Sequence, residues 1–172
     1  METWDAIRAR RDVRQYTDQP LTPQELERIL EAGRRSPSSS NWQPWDFVVV
    51  TDRAELAELS TVWSHAGQVA DSAATVALLA PVSAGDPQSR ERALYDLGQA
   101  TINLMLAAAD LGIGSGHTAV TDQDRARALL GFPDDRFCAY LIPLGYPADR
   151  PLTPIARPNR RPFDEVVHWG RW

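Results

Sequence analysis

Two prolines bracket a short polar segment, and they restrict its backbone more strongly than any other local feature of the chain. Pro37 and Pro44 each disfavour helix at the preceding residue, so the segment from Ser36 to Trp45 must be extended or turned. The apolar run Phe47–Val50 follows and predicts a buried strand. Polar loops beside core strands often carry ligand sites. Serine, asparagine and proline are also common turn residues, so a plain helix-to-strand connector explains the segment equally well.

Capping signals divide the first part of the chain into helices. Thr22-Pro23-Gln24-Glu25 combines a cap, an N-terminal proline and a capping-box acid, and predicts a helix that ends near Arg35. Asp52-Arg53-Ala54-Glu55 is a second capping box in front of another helix. Thr3 is expected to cap a first helix, which runs into the basic residues ending at Arg14.

The second half of the chain alternates between strands and helices. A buried strand is predicted from about Thr75 to Val82, followed by a turn at Ala84-Gly85-Asp86-Pro87. The longest helix begins at this turn and runs to about Leu111. Its apolar residues cover more than one face, which indicates a central helix or one shared with a second subunit. A helix over Thr121–Leu130 and a strand over Phe137–Leu144 follow.

Three glycines at alternate positions, Gly112, Gly114 and Gly116, have a superficial likeness to a dinucleotide-binding fingerprint. That fingerprint follows a strand and opens a helix, whereas these glycines follow a helix. A Rossmann site is therefore excluded. Gly112 is expected to end the long helix, and the other two glycines permit close approach by neighbouring backbone.

The composition restricts the chemistry that this chain can perform. Its 172 residues suit one domain, without internal repeats. All 18 basic residues are arginine, so lysine-based Schiff-base chemistry and Walker-type phosphate binding are excluded. Any bound anion must be held by arginine or by backbone N–H groups. A net charge of −5 argues against nucleic acid as a partner.

The expected location is the cytoplasm, without contact with a membrane. No apolar run approaches the roughly 20 residues that a membrane-spanning helix needs. The N-terminus lacks the pattern of a secretion signal. The single cysteine, Cys138, excludes an internal disulfide and a cysteine-cluster metal site, and no metal site is predicted. Its apolar neighbours predict a buried thiol.

Arginines are unusually dense near the N-terminus. Arg8, Arg10, Arg11 and Arg14 lie within seven residues of an acidic chain. They repel one another unless a negative group neutralises them, which points to a bound anion. A solvated basic face at the C-terminal end of a helix is the alternative interpretation.

Three motifs in chain order support a family assignment. They are Arg10-Arg11-x-Val13-Arg14, Pro37-Ser38-x-x-Asn41-x-Gln43-Pro44-Trp45 and Leu144-Gly145-Tyr146-Pro147. Together with the late Arg-Pro-Phe-Asp-Glu-Val-Val run, they resemble the nitroreductase family of flavin enzymes over essentially the whole chain. The resemblance implies an α+β fold with a mainly antiparallel central sheet wrapped by helices, in an intertwined homodimer. It also implies that the segment 148–172 extends over the body or over the partner subunit.

The same resemblance implies an FMN-dependent oxidoreductase. NADH or NADPH would reduce the flavin, and a small electron-poor acceptor, such as a nitroaromatic or quinone-like compound, would then take the electrons by ping-pong hydride transfer. No side chain needs to act as a catalytic acid or base, because hydride moves directly between cofactor and substrate.

The resemblance assigns residues to the cofactor as well. Arg10 and Arg11 would meet the phosphate, with Arg160 reaching in from the C-terminal segment. Arg14 would face the pyrimidine edge of the flavin. The polar segment would contribute residues across the dimer interface, namely Arg35, Pro37, Ser38, Ser39, Asn41 and Gln43. Residues beside the cofactor, through side chain or backbone, would be His117, Thr118, Pro143, Leu144 and Gly145.

Asp12 departs from the family pattern, in which many members have serine. An aspartate beside a phosphate is repelled unless Arg10 or Arg14 pairs with it. The sequence Arg-Arg-Asp-Val-Arg also resembles the flavin-fragmenting branch that makes the lower ligand of vitamin B12, where an acid at this position takes part in the chemistry. Asp12 is thus a flavin contact in the main interpretation and a catalytic residue in this alternative. A dimer that binds flavin or another ligand without turnover is the remaining alternative.

Overall fold

A computed structural model describes residues 1–82 and 86–172. It contains a mainly antiparallel sheet with helices packed on both faces. The strands are β1 Asp46–Val50, β2 Ala74–Pro81, β3 Gly114–Ser115, β4 Thr118–Ala119 and β5 Arg136–Gly145. The helices are α1 Thr3–Ala9, α2 Pro23–Arg34, α3 Arg53–Leu59, α4 Gly67–Ala70, α5 Pro87–Asp110 and α6 Gln123–Leu130. This arrangement confirms the predicted α+β fold class.

The sheet has the strand order β1-β2-β5-β3, and β4 also pairs with β5. Each of these pairings is antiparallel. Along β2, alternate side chains enter two separate cores, as the twofold repeat of a strand requires. Val76 and Leu78 pack with α2 and α5, whereas Ala77 and Leu79 pack on the opposite side with α3, α4 and α6. Cys138 is fully buried in this second core, as predicted.

Local signals predicted most helix ends correctly. Thr22 and Glu25 form the predicted capping box at the start of α2. Asp52 accepts hydrogen bonds from two backbone N–H groups of α3, and Asp86 caps α5. Gly112 follows α5 with a φ of 75°. The predicted turn at Ala84-Gly85-Asp86-Pro87 begins outside the described residues.

The predictions for the first helix were wrong at both ends. The residue before α1 is Glu2, and it makes no side-chain cap, so Thr3 is the first helical residue. The helix stops at Ala9, well before Arg14. Val13 is fully buried, and its backbone N–H donates to the Ser115 carbonyl at 2.9 Å. This tertiary contact holds the chain in an extended form where the helix was predicted to continue.

Candidate functional site

The residues Arg10–Arg14, called here the arginine segment, lie against the strand β3. Asp12 forms a backbone bridge with Ser115, next to the hydrogen bond that Val13 makes. Gly114 is essential to this close packing, because a Cβ atom there would lie 2.6 Å from Val13 Cγ2. The arginine segment is therefore fixed by the sheet, and its charged side chains project from a rigid backbone.

Three charged side chains of this segment are paired, namely those of Arg10, Arg11 and Asp12. Arg10 Nη1 lies 3.2 Å from Asp12 Oδ1, and His117 Nδ1 lies 3.5 Å from the same oxygen. The interaction with His117 is the main cause that lowers the pKa of Asp12, and Arg10 lowers it further, although partial burial opposes both. Arg11 donates to Asp149 at 2.7 Å and to the Arg150 carbonyl at 2.9 Å.

Arg14 points into a different environment. It is exposed and lines a polar cavity of about 240 Å³. The other residues lining this cavity are Gln15, Tyr16, Asp18, Arg53 and Asp71. Within residues 1–82 and 86–172, Arg14 forms no ion pair. Its guanidinium group is therefore available to a ligand, unlike those of Arg10 and Arg11.

Tyr16 joins the arginine segment to the end of β5. Its hydroxyl donates to the Val13 carbonyl at 2.7 Å and lies 3.3 Å from the Pro143 carbonyl. Burial raises the pKa of Tyr16. A Cβ atom on Gly145 would lie 2.7 Å from the Tyr16 ring, so glycine permits this contact. Sequence reasoning missed Tyr16, because nothing in its local pattern indicates the partner at Pro143.

The loop between β3 and β4 completes this part of the site. Gly116 donates to the Pro143 carbonyl at 3.2 Å, and a Cβ atom there would lie 2.9 Å from the Val13 carbonyl oxygen. Thr118 is fully buried, and its hydroxyl accepts a hydrogen bond of 2.8 Å from Gln68 Nε2. Gln68 was also missed, since it lies in a stretch without clear periodicity.

The polar loop, defined as Ser36–Trp45, forms a second region. Ser40, Asn41 and Gln43 have φ values of 52°, 56° and 53°, a conformation that side chains other than asparagine rarely adopt. The Gln43 backbone N–H donates to Ser38 Oγ at 2.8 Å, which stabilises the turn. The side chains of Asn41 and Gln43 remain exposed.

A buried carboxylate anchors this loop to α5. Asp96 is fully buried and accepts hydrogen bonds from the Ser39 backbone N–H at 2.9 Å and from Gln99 Nε2 at 3.2 Å. The Ser39 hydroxyl lies 3.4 Å from Asp96 Oδ1, the oxygen that accepts from Gln99. An aspartate within the long helix is expected from sequence to be solvated or ion-paired, and this expectation is wrong for Asp96. Ser39 is held by the protein itself, so its backbone donor is already occupied.

The structure divides the predicted cofactor residues between these two regions. The first contains the arginine segment with His117, Thr118, Pro143, Leu144 and Gly145. The second contains Arg35, Pro37, Ser38, Ser39, Asn41 and Gln43, with Arg35 held by Glu31 at 2.6 Å. Arg160 belongs to neither region, and its guanidinium donates to the Asn159 carbonyl. In the described part of the chain, no hydrogen bond or ion pair joins the two regions.

An apolar cavity of about 430 Å³ extends from His117 along α5. Its lining includes the exposed ring of Tyr140, which meets the His117 ring edge-on at 6.1 Å between centroids. The remaining lining residues all come from α5, namely Leu94, Leu97, Gly98, Thr101, Ile102 and Met105. A flat apolar molecule or an apolar surface could occupy this space beside the arginine segment.

An antiparallel sheet between helices, with the arginine segment against β3, places this protein in the α+β class. The model of the Nitroreductase family matches residues 7–84 and 63–146. A relative from Methanothermobacter thermautotrophicus is 32% identical over 177 residues, covering 100% of this chain and 88% of that protein. It is provisionally named an NADH dehydrogenase/NAD(P)H nitroreductase. The chain belongs to the nitroreductase family, which confirms the predicted assignment.

Solved structures support the same conclusion. Nitroreductase A from Vibrio parahaemolyticus has a TM-score of 0.86 at 27% identity, covering 97% of this chain and 74% of that chain. An NADPH:FMN oxidoreductase from Vibrio harveyi, complexed with NAD⁺, has a TM-score of 0.85 at 26% identity and covers 97% of this chain and 76% of that chain. Relatives with these names indicate an oxidoreductase. No helix in residues 1–82 or 86–172 is long and apolar enough to cross a membrane.

Proposed function

We propose that this protein is an FMN-dependent oxidoreductase, which uses NADH or NADPH to reduce a small electron-poor acceptor of the nitroaromatic or quinone type. The observation that carries this proposal is the meeting of the arginine segment with two backbone segments, Gly114–Thr118 and Pro143–Gly145. This meeting places arginine side chains next to closely packed backbone, so cations are available at one site. The nicotinamide and flavin chemistry in the names of the family relatives supports the same function.

The residues of this region suit FMN. Arginine is the cation that a chain without lysine can offer to a phosphate. Arg14 would supply positive charge to the flavin ring system, and the apolar cavity beside His117 offers space for a flat ring or its acceptor. When bound, FMN supplies a two-electron carrier. The protein residues position it, tune its charge and exclude water from its face.

The functional unit would be a homodimer. Two observations support this proposal. Apolar residues on α5, such as Leu94 and Ile102, are exposed. The predicted cofactor residues lie in two separate regions of one chain. The polar loop of one chain would then face the arginine segment of the other. Residues 148–172 would extend over the partner, since Phe163 and Trp169 are 69% and 84% exposed in one chain.

Asp12 favours one alternative activity. Its carboxylate lies within the arginine segment beside His117, where an acid could act on a flavin. A flavin-fragmenting enzyme of the type that makes the lower ligand of vitamin B12 would consume reduced flavin and release an altered ring product. Chromatography of the flavin after turnover separates this activity from simple electron transfer, which returns the flavin unchanged.

The experiment that tests the proposal is an absorbance titration of the purified protein with FMN, followed by NADH or NADPH without oxygen. We expect NADH or NADPH to bleach the absorbance of the bound flavin. The absorbance should recover when a quinone or nitroaromatic compound is added. Binding without bleaching would leave a ligand-binding dimer that does not turn over. Failure of FMN to bind would contradict both functions.

A further inference from the structure

Two of the three cations predicted to hold the flavin phosphate, Arg10 and Arg11, are already matched by carboxylates of the same chain. Arg10 is paired with Asp12 at 3.2 Å, and Arg11 with Asp149 at 2.7 Å. Arg11 also donates to the Arg150 carbonyl from the same nitrogen, Nη2, so both N–H groups of that nitrogen are used. A phosphate arriving here meets arginines whose positive charge is neutralised, and must share or displace their partners.

Asp12 is the partner that cannot easily withdraw. Its backbone is bridged to Ser115 in the sheet, and its carboxylate lies between Arg10 and His117. The same two groups lower the pKa of Asp12, so the carboxylate is ionised at neutral pH. Asp149, in contrast, pairs with Arg11 alone among the described residues.

A fixed carboxylate beside Arg10 opposes a phosphate for a simple electrostatic reason. A phosphate monoester carries about −1.5 to −2 charges at neutral pH, and it is repelled by a neighbouring anion in a partly buried site. The ring system of a flavin carries no such charge when oxidised. The penalty therefore falls on the phosphorylated flavin and leaves the flavin without a phosphate almost unaffected.

We propose that Asp12 is a specificity-determining residue, which reduces the contribution of the phosphate to flavin affinity so that riboflavin binds almost as well as FMN. This inference rests on the proposed flavin site. It assigns to Asp12 a role in choosing the ligand, independent of any part in the chemistry.

The test is a thermodynamic cycle that removes the carboxylate from the protein and the phosphate from the ligand. FMN and riboflavin are titrated into the native protein and into Asp12→Asn, with flavin fluorescence as the signal. The FMN-to-riboflavin affinity ratio should rise about tenfold in the variant, which is about 1.4 kcal/mol of coupling between the two anions. Riboflavin affinity should change by less than about threefold, because it lacks the repelled group.

Two further variants make the result specific. Asp12→Ser removes the carboxylate with a smaller side chain and should raise the affinity ratio as Asp12→Asn does; thermal melting shows that each variant folds. Glu58→Gln is the matched control. Glu58 also pairs with an arginine, Arg125 at 2.7 Å, and its substitution changes the net charge equally, so the ratio should stay unchanged.

The outcomes separate this inference from the proposed function. An unchanged affinity ratio in both Asp12 variants overturns the role of Asp12 while leaving the flavin site in place. A lower ratio overturns it too, and would mean that Asp12 orients Arg10 towards the phosphate. If neither flavin binds to any of these proteins, the flavin site itself is absent and both proposals fall.

Discussion

The arginine segment and the polar loop were both predicted to contact the flavin, but the structure builds them in different ways. The arginine segment is charged and is pinned to β3 and β5 through Val13 and Tyr16. The polar loop is neutral between Ser36 and Trp45 and is held on α5 by hydrogen bonds to side chains, from Ser39 to the buried carboxylate of Asp96 and from Asn103 to Ser36 Oγ at 2.7 Å. One region is fixed by backbone pairing, and the other by hydrogen bonds that involve side chains.

This difference has an energetic basis. A residue with a side chain loses roughly 1–2 kcal/mol in the left-handed conformation that the loop adopts at Ser40 and Gln43. The hydrogen bonds between Ser39 and Asp96 offset that cost, because a buried carboxylate accepts strong bonds. Asn41 and Gln43 remain exposed, and Gln43 Nε2 donates to the Asn41 carbonyl at 3.2 Å within the loop.

The largest expected effect is on FMN affinity, and it comes from variants that test whether the two regions form one site across two chains. Arg14→Ala removes the free cation of the arginine segment, and Asn41→Gly removes an amide of the polar loop while tolerating its positive φ. Each variant should bind FMN about 10- to 100-fold more weakly, since each loses hydrogen bonds to the ligand. Titration of each purified variant with FMN measures this loss.

Co-expression of the two variants then distinguishes the arrangements. If the regions meet across the dimer, every mixed dimer has one intact site, and random pairing restores about a quarter of the native sites. Each variant expressed by itself is the control. No recovery in the mixed dimers would contradict a site shared between two chains.

A smaller effect is expected from removing the anchor of the polar loop. Asp96→Ala leaves the Ser39 donors without their buried partner and should lower the free energy of unfolding by about 2 kcal/mol. Urea denaturation measures this change. Glu91→Ala, an exposed acid on the same helix, should change the stability by less than about 0.5 kcal/mol. Equal effects of the two substitutions would show that Asp96 does not hold the loop.

The packing of the arginine segment predicts a comparable or smaller loss at Gly116. A Cβ atom there would meet the Val13 carbonyl oxygen at 2.9 Å, and backbone cannot move aside cheaply. Gly116→Ala should therefore destabilise the protein by about 1–2 kcal/mol. Gly67→Ala is the control: its Cβ atom meets nothing within 4 Å, and alanine favours helix there. Thermal melting of both variants measures the loss. Equal melting temperatures would contradict the close approach of Gly116 to the Val13 carbonyl oxygen.

The smallest effect is expected outside both regions, at Cys138. Burial raises the pKa of this thiol to about 12, so thiol reagents should not modify the folded protein at pH 8. Because the unfolded thiol ionises near pH 9 and the folded thiol near 12, stability should fall as pH rises from 9 towards 12. Cys138→Ser should leave turnover nearly intact in protein that folds. Rapid labelling of the native protein would show that the thiol is accessible.

The sequence by itself determined the features that depend on neighbouring residues. The capping box at Thr22 and the glycine after α5 follow from backbone chemistry within a few positions, and so do the limits of β2 and β5. The absence of lysine and the order of the three motifs were enough to predict the family and a set of candidate cofactor residues.

Only the tertiary structure decided what those residues contact. Asp12 and His117 are far apart in the chain, and the sheet brings them to 3.5 Å. From its sequence position, Asp96 is expected to be a surface acid on a helix, but the folded chain buries it against Ser39. The helix α1 ends at Ala9, because Val13 pairs with Ser115 of β3. Charge pairing and burial depend on distances between residues that are far apart in sequence, so only the folded structure reveals them.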